Sequence, residues 1–332
     1  MPDPPSADDL VGTLRELVAS GRFQDALEAF RRAERAGPRP EAEAGLLAAT
    51  AATRLGELAG GASLAAEALE RFRARADDDG RMRAMNLLGA IGFELGDLAQ
   101  AEACFDEALR LAHQTRDSLM VARITNNLAS VAHLRGDLAG ALRRYRSALA
   151  GFQRLGDRRY IAETYHNLAL AFRQASDIHE AEQAATQAIR HAEVLDDLAL
   201  RALTVTGRAE VRLQQGEIAF AYQELDRAGR LARQAGDALG GAEVMRIRAL
   251  AALQEGDYAR AAAEAEAART VALEHHSALL AAECSAAAAL AYRRSGNPDL
   301  ADRYRAQATA GLRDLGAVRL LERLDQEWSE SG

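Results

Sequence analysis

The sequence predicts an all-α protein, built from helical hairpins of 40 residues each and stacked into a superhelical solenoid. Three observations predict it. Glycine-centred turns recur at one fixed step, small residues keep that step on both sides of them, and prolines are nearly absent from the long middle of the chain.

The turns come first, because they set the register. They are Leu55-Gly56-Glu57, Leu95-Gly96-Asp97, Arg135-Gly136-Asp137, Ala175-Ser176-Asp177, Gln215-Gly216-Glu217, Glu255-Gly256-Asp257 and Ser295-Gly296-Asn297. Their central residues are 40 apart across six intervals, and an earlier turn at Gly21 precedes the series by 35. Twelve residues after the turn centres stand Ala68, Ala108, Ala148, Ala188, Ala228, Ala268 and Ala308. Seven residues before them stand Ala49, Gly89, Ala129, Ala169, Ala209, Ala249 and Ala289. Small residues at fixed offsets let antiparallel helices pack closely, while Phe30, Phe105, Tyr145 and Leu225 fill the space between hairpins. One hairpin cannot bury its own apolar face, so stacking is obligatory.

A second punctuation lies 21 residues after each turn centre, at Asp77, Asp117, Asp157, Asp197, Asp237 and Ser277. Asp and Ser side chains accept bonds from the free amides of a helix start, so these read as N-caps of the next hairpin's first helix. The acidic residue after the turn centre (Glu57, Asp97, Asp137, Asp177, Glu217, Asp257) reads the same way for the second helix. The chain then divides into a disordered start over residues 1–7, eight hairpins over 8–316 and a C-terminal capping helix with its tail over 317–332.

Composition narrows the function. The net charge of -8 disfavours a nucleic-acid partner, because phosphate binding needs a concentrated positive field. The chain has no lysine, so all 41 basic residues are arginine, and phosphate-loop and Schiff-base lysine chemistry is excluded. Cys104 and Cys284 form neither a disulfide framework nor a zinc pattern, which points to a reducing cytoplasm. No signal peptide and no membrane-spanning stretch is read. His275-His276 stands alone at a helix end, and Gly89, Gly92 and Gly96 have the wrong spacing for a dinucleotide loop. No catalytic residue, metal or cofactor is expected, and the protein is not expected to be an enzyme.

The run Leu88-Gly89, Gly96-Asp97, Ala101, Phe105, Ala108 and its counterpart Leu128-Ala129, Gly136-Asp137, Ala141, Tyr145, Ala148 resemble the tetratricopeptide repeat. The 40-residue step, with Asn-Asn-Leu-Ala at 126–129 and His-Asn-Leu-Ala at 166–169, is similar to the longer subtype of kinesin light chains, G-protein-signalling adaptors and bacterial peptide-sensing regulators. The resemblance departs where Ala185 and Ala265 replace aromatics and where Arg208 stands in place of leucine.

The resemblance implies a right-handed superhelix of about eight antiparallel hairpins plus the capping helix, with each hairpin's first helix, helix A, lining a concave surface. It places partner contacts 13, 10, 9 and 3 residues before the turn centre. Those positions give Arg83, Asn86, Arg123, Asn126, Asn127, His133, His166, Asn167 and Arg173 as the binding candidates. An asparagine there can clamp the backbone of an extended peptide without reading its sequence, and the arginines suit an acidic ligand or carboxylate. The expected function is a protein-interaction scaffold that takes an extended peptide or a partner helix in the groove. The alternative is an effector-sensing bacterial regulator whose superhelix changes pitch on binding. The later hairpins carry Leu213, Ile247 and Leu253 at these positions, an apolar stretch suited to an amphipathic helix.

Overall fold

A computed structural model describes residues 7–37 and 40–330 of the 332-residue chain. Among them run seventeen α-helices and no strand. The disordered start expected over 1–7 lies outside the described residues, apart from Ala7, which opens the first helix. No described helix is long and apolar enough to cross a membrane.

The chain forms two compact units, Met1–Ile124 and Thr125–Gly332. The first contains α1 (Ala7–Ala19), α2 (Phe23–Ala36), α3 (Ala42–Arg54), α4 (Leu58–Ala74), α5 (Asp78–Glu94), α6 (Leu98–Gln114) and the start of α7 (Ser118–Leu134). The second holds the rest of α7, then α8 (Leu138–Leu155), α9 (Arg158–Gln174), α10 (Ile178–Ala192), α11 (Leu198–Gln214) and α12 (Ile218–Ala235). It continues with α13 (Ala238–Glu255), α14 (Tyr258–Glu274), α15 (Ala278–Arg294), α16 (Pro298–Asp314) and α17 (Val318–Glu330). Odd-numbered helices up to α15 are the A helices.

Each A helix ends because its turn residue adopts a left-handed backbone. At Gly136 φ is 88°, which glycine reaches without steric penalty. The Gly136 amide then bonds the His133 carbonyl at 3.0 Å, and the Asp137 amide reaches back to Ala132 at 2.9 Å. These two bonds satisfy carbonyls that the helix end would otherwise leave bare. Ser176 takes the same conformation with φ 61°, so the register of its neighbours imposes a shape its side chain disfavours.

The Asp caps form as expected. Asp77, Asp117, Asp157, Asp197 and Asp237 each accept from the amide three residues on, at 2.8–3.2 Å. Asp97, Asp137, Asp177 and Asp257 do so at the second helix. Glu57, Glu217 and Ser277 make no such bond, contrary to expectation. Glutamate carries one methylene too many to fold back on its own helix start. Glu57 pairs with Arg31 at 2.6 Å instead, and Glu217 with Arg212 at 2.5 Å. A second left-handed series also joins most hairpins: Ala76, Arg116, Gly156, Gly236, His276 and Gly316 all have positive φ.

The small residues do the packing assigned to them. A Cβ placed on Gly89 would lie 2.7 Å from the ring of Phe105, so α5 and α6 touch there without a side chain between them. In the first unit Leu14, Leu27 and Phe30 bury against Ala44, Ala48, Ala51 and Ala52. In the second, Leu225 and Ile247 lie at the centre of one cluster. Where alanine replaces the aromatic, Ala185 and Ala265 are still buried. A large aliphatic or aromatic side chain buried this way contributes about 1.5–3 kcal/mol.

Candidate functional site

The expected binding residues fall in both compact units, and each part stands on its own. In the first, Arg83 on α5 is held by two carboxylates, Asp79 Oδ2 and Glu43 Oε1, both at 2.9 Å. Asn86 lies half-buried one turn further along α5, and Arg123 on α7 donates to Met120 Sδ at 3.7 Å.

In the second unit α7 and α9 present the rest. Asn126 Oδ1 accepts from Thr164 Oγ1 across the two helices at 3.3 Å. Asn127 and Asn167 are half-buried at the same register position of neighbouring A helices. His133 meets Gln174 through Nε2 and sets its ring edge-on to Tyr145, 6.5 Å between centroids. Burial lowers its pKa, so it is neutral at pH 7. His166 has sunk into the wall. It is 8 % exposed, and its ring fills the space left by Gly207, where a Cβ would sit 2.5 Å from Nδ1. Burial pushes its pKa down to about 4, and Nδ1 makes no hydrogen bond. Arg173 reaches Glu210 at 3.4 Å.

Arg173 also stands at the edge of a cavity of about 600 Å³, within the range of small-ligand and peptide-anchor sites. The A helices α9, α11, α13 and α15 supply its walls: Arg173 and Gln174, then Glu210, Leu213 and Gln214, then Leu250, Leu253 and Gln254, then Glu283, Leu290 and Arg294. The remaining side is α17, through Leu320, Arg323, Leu324 and Glu327 among others.

Two carboxylates of the cavity wall, Glu210 and Glu283, lie beside Arg246 of α13, which is almost completely buried. It bonds Glu243 at 2.6 Å and Glu210 at 3.0 Å, and lies 3.7 Å from Glu283. Burial opposes its charge, but the three carboxylates outweigh burial and keep it protonated. Burial likewise works against the Glu210 carboxylate, yet Arg173 and Arg246 hold its pKa down at about 2. For Glu283 burial prevails and the pKa is raised. Among the described residues no cluster of three or more His, Cys, Asp and Glu could hold a metal. The cavity wall thus combines paired charges with apolar side chains.

Comparison with known proteins places this architecture. Two family models, each described as tetratricopeptide repeat, match residues 120–193 in one case and residues 13–76 and 59–114 in the other, together more than half the chain. The chain belongs to the tetratricopeptide repeat family. No curated protein matches it. Among solved structures this tetratricopeptide repeat protein is similar to a Rap protein complexed with competence and sporulation factor, with TM-score 0.70 and 13 % identity over 98 % of this chain and 99 % of that one. It is similar to the apo quorum sensor NprR of B. thuringiensis, with TM-score 0.69 and 11 % identity over 91 % and 86 %. It is also similar to BtubC (BKLC) of P. vanneervenii, with TM-score 0.51 and 24 % identity over 67 % and 92 %. At these identities the likeness is one of fold.

The sequence reading missed two rows of the tetratricopeptide cavity wall. One lies six residues before the turn centre, at Glu210, Leu250 and Leu290; the other lies two before it, at Gln174, Gln214 and Gln254. The glutamines carry their own signal, since they recur at the 40-residue step. The first row follows from helix geometry, lying within one turn of positions already on that face.

Proposed function

We propose that this tetratricopeptide repeat protein is a protein-interaction scaffold that holds an extended peptide against its A helices. The carrying observation is the asparagine row of the second unit. Asn127 and Asn167 stand at equivalent positions of adjacent helices, half-buried, with Asn126 beside them. A primary amide donates and accepts at once, which matches the alternating groups of a peptide backbone. Arg83 and Arg173 already have carboxylate partners, so an acidic ligand would have to compete for them. A similar structure, the Rap conjugation gene regulator of the plasmid pLS20, was solved in complex with the Phr* peptide, which supports a peptide as ligand.

The test is titration calorimetry with a peptide recovered by pull-down with the full chain. Replacing Asn127→Ala and Asn167→Ala together should weaken binding by about tenfold or more, the loss of one to two good hydrogen bonds. Unchanged affinity in a chain with unchanged helix content would remove the asparagines from the site. The roomy cavity in the second unit favours a second reading, a regulator that changes shape on binding its effector. That reading expects a ligand-dependent change in the radius measured by small-angle scattering.

A further inference from the structure

We propose that α17 is a built-in occupant of the second unit's groove, and that the groove's partner is an amphipathic helix of α17's own chemistry that takes its place. This rests on the reading that the A-helix faces bind partners, and it names the partner for the cavity half of the second unit.

A capping helix needs only to cover the last hairpin. This one reaches further. Leu320, Leu321, Leu324 and Trp328 form one stripe along α17, at the spacing of a single helix face. Leu324 is buried in a cluster with residues of α15 and α16, and Leu134 from the end of α7 packs against that same cluster. A Cβ placed on Gly136, in the turn after α7, would lie 2.7 Å from Arg319 Cγ at the start of α17. The helix therefore crosses from the last hairpin to the first turn of its unit, and it lines one side of the cavity.

The polar residues of α17 meet the groove in a fixed order. Arg323 faces the carboxylates of Glu210 and Glu283 and favours their ionised forms. One turn on, Glu327 faces Arg294 across the same cavity. Next to it the indole of Trp328 lies beneath the guanidinium of Arg293, 4.1 Å from the ring centroid, with Arg305 4.7 Å away. Such stacking suits an aromatic held by cations. The groove thus selects a helix with two leucines, then an arginine, then a carboxylate and an aromatic one turn later. Apolar area supplies the attraction, and the order of charges sets direction and register.

Trp328 is the only tryptophan, so its fluorescence reports where α17 is. Two full-length variants, Arg323→Glu and Leu324→Asp, are compared with the natural chain. The probe is a fluorescein-labelled peptide covering residues 317–330. In both variants Trp328 emission should shift to the red and acrylamide quenching should rise, while far-UV circular dichroism keeps its helical signal. Labelled peptide should bind the released chains at least about tenfold more tightly than the natural chain, whose groove is occupied. The same peptide with glutamate in place of Arg323 should bind about tenfold more weakly to the released chains. Unmoved Trp328 emission in both variants overturns the proposal, as does equal peptide binding by all three chains or no binding to the released ones. If Leu324→Asp loses helix, Arg323→Glu decides alone, because it leaves the apolar stripe intact. The asparagine variants separate the two readings. If Asn127→Ala with Asn167→Ala leaves peptide recovery unchanged, that reading fails while the Trp328 response stands; if Trp328 stays still, the converse holds.

Discussion

Replacing Arg246→Ala tests how the second unit tolerates charge in its interior. The guanidinium is 5 % exposed and serves Glu210, Glu243 and Glu283 together. Its removal leaves three carboxylates facing one another without the guanidinium between them, with Arg173 as the remaining cation bonded to Glu210. Breaking one side of a buried pair costs about 3–5 kcal/mol. In a compact unit of this size that corresponds to a loss of roughly 6–20 °C in Tm. The pH dependence carries the mechanism. In the natural chain Arg173 and Arg246 hold the Glu210 pKa below the ordinary glutamate range, against the opposing effect of burial. Its contribution is therefore in place at pH 7 and is lost as pH falls below the ordinary glutamate pKa and through the lowered one. Glu283, with a raised pKa, acts in the opposite sense and is relieved by acid. Without Arg246 the carboxylates shift upward and take up protons in the folded state, so the variant's deficit should narrow between pH 7 and pH 5. Thermal unfolding followed at 222 nm at both pH values measures this. A loss under about 2 °C at pH 7, or a deficit that widens toward pH 5, would refute the account.

Three further outcomes are expected. Asp137→Ala removes a 2.8 Å cap bond and should cost about 1 kcal/mol in urea unfolding, whereas Glu57→Ala, which caps nothing, should cost about half of that or less. Gly89→Ala sets a methyl 2.7 Å from the buried Phe105 ring and should destabilise by about 1–3 kcal/mol despite alanine's better helix propensity; a stabilised variant would show that α5 and α6 can part there. Burial raises the Cys284 thiol to about 12, so a thiol reagent at pH 8 should label it only once the chain unfolds, and labelling of the folded chain would place it near solvent.

The hairpins were legible because their turns need a left-handed residue, and glycine marks that need at seven of eight turn centres. Ser176 was legible through register alone. The links between hairpins need the same backbone, and glycine marks it at Gly156, Gly236 and Gly316, but Ala76, Arg116 and His276 occupy it in other links, where residue type gave no mark. Caps were readable as aspartate and misread as glutamate, where one methylene decides reach. At the candidate site the register located Asn127, Asn167 and Arg173 on the A helices. It could not show that His166 turns inward, because the room for its ring comes from Gly207 on the next A helix. Nor could it show how far α17 reaches, since that depends on rotation accumulated from hairpin to hairpin.

That reach has a consequence for how the protein can change length. A stack open at its end can gain or lose a hairpin anywhere, because each repeat touches only its neighbours. Here Arg319 and the α17 cluster meet Gly136 and Leu134, so the hairpins between them form a closed count. Deleting one 40-residue cassette would leave every turn and cap intact and still carry α17 away from its footing. The second unit is therefore a ruler as well as a scaffold, with its number of hairpins set by the helix that spans them.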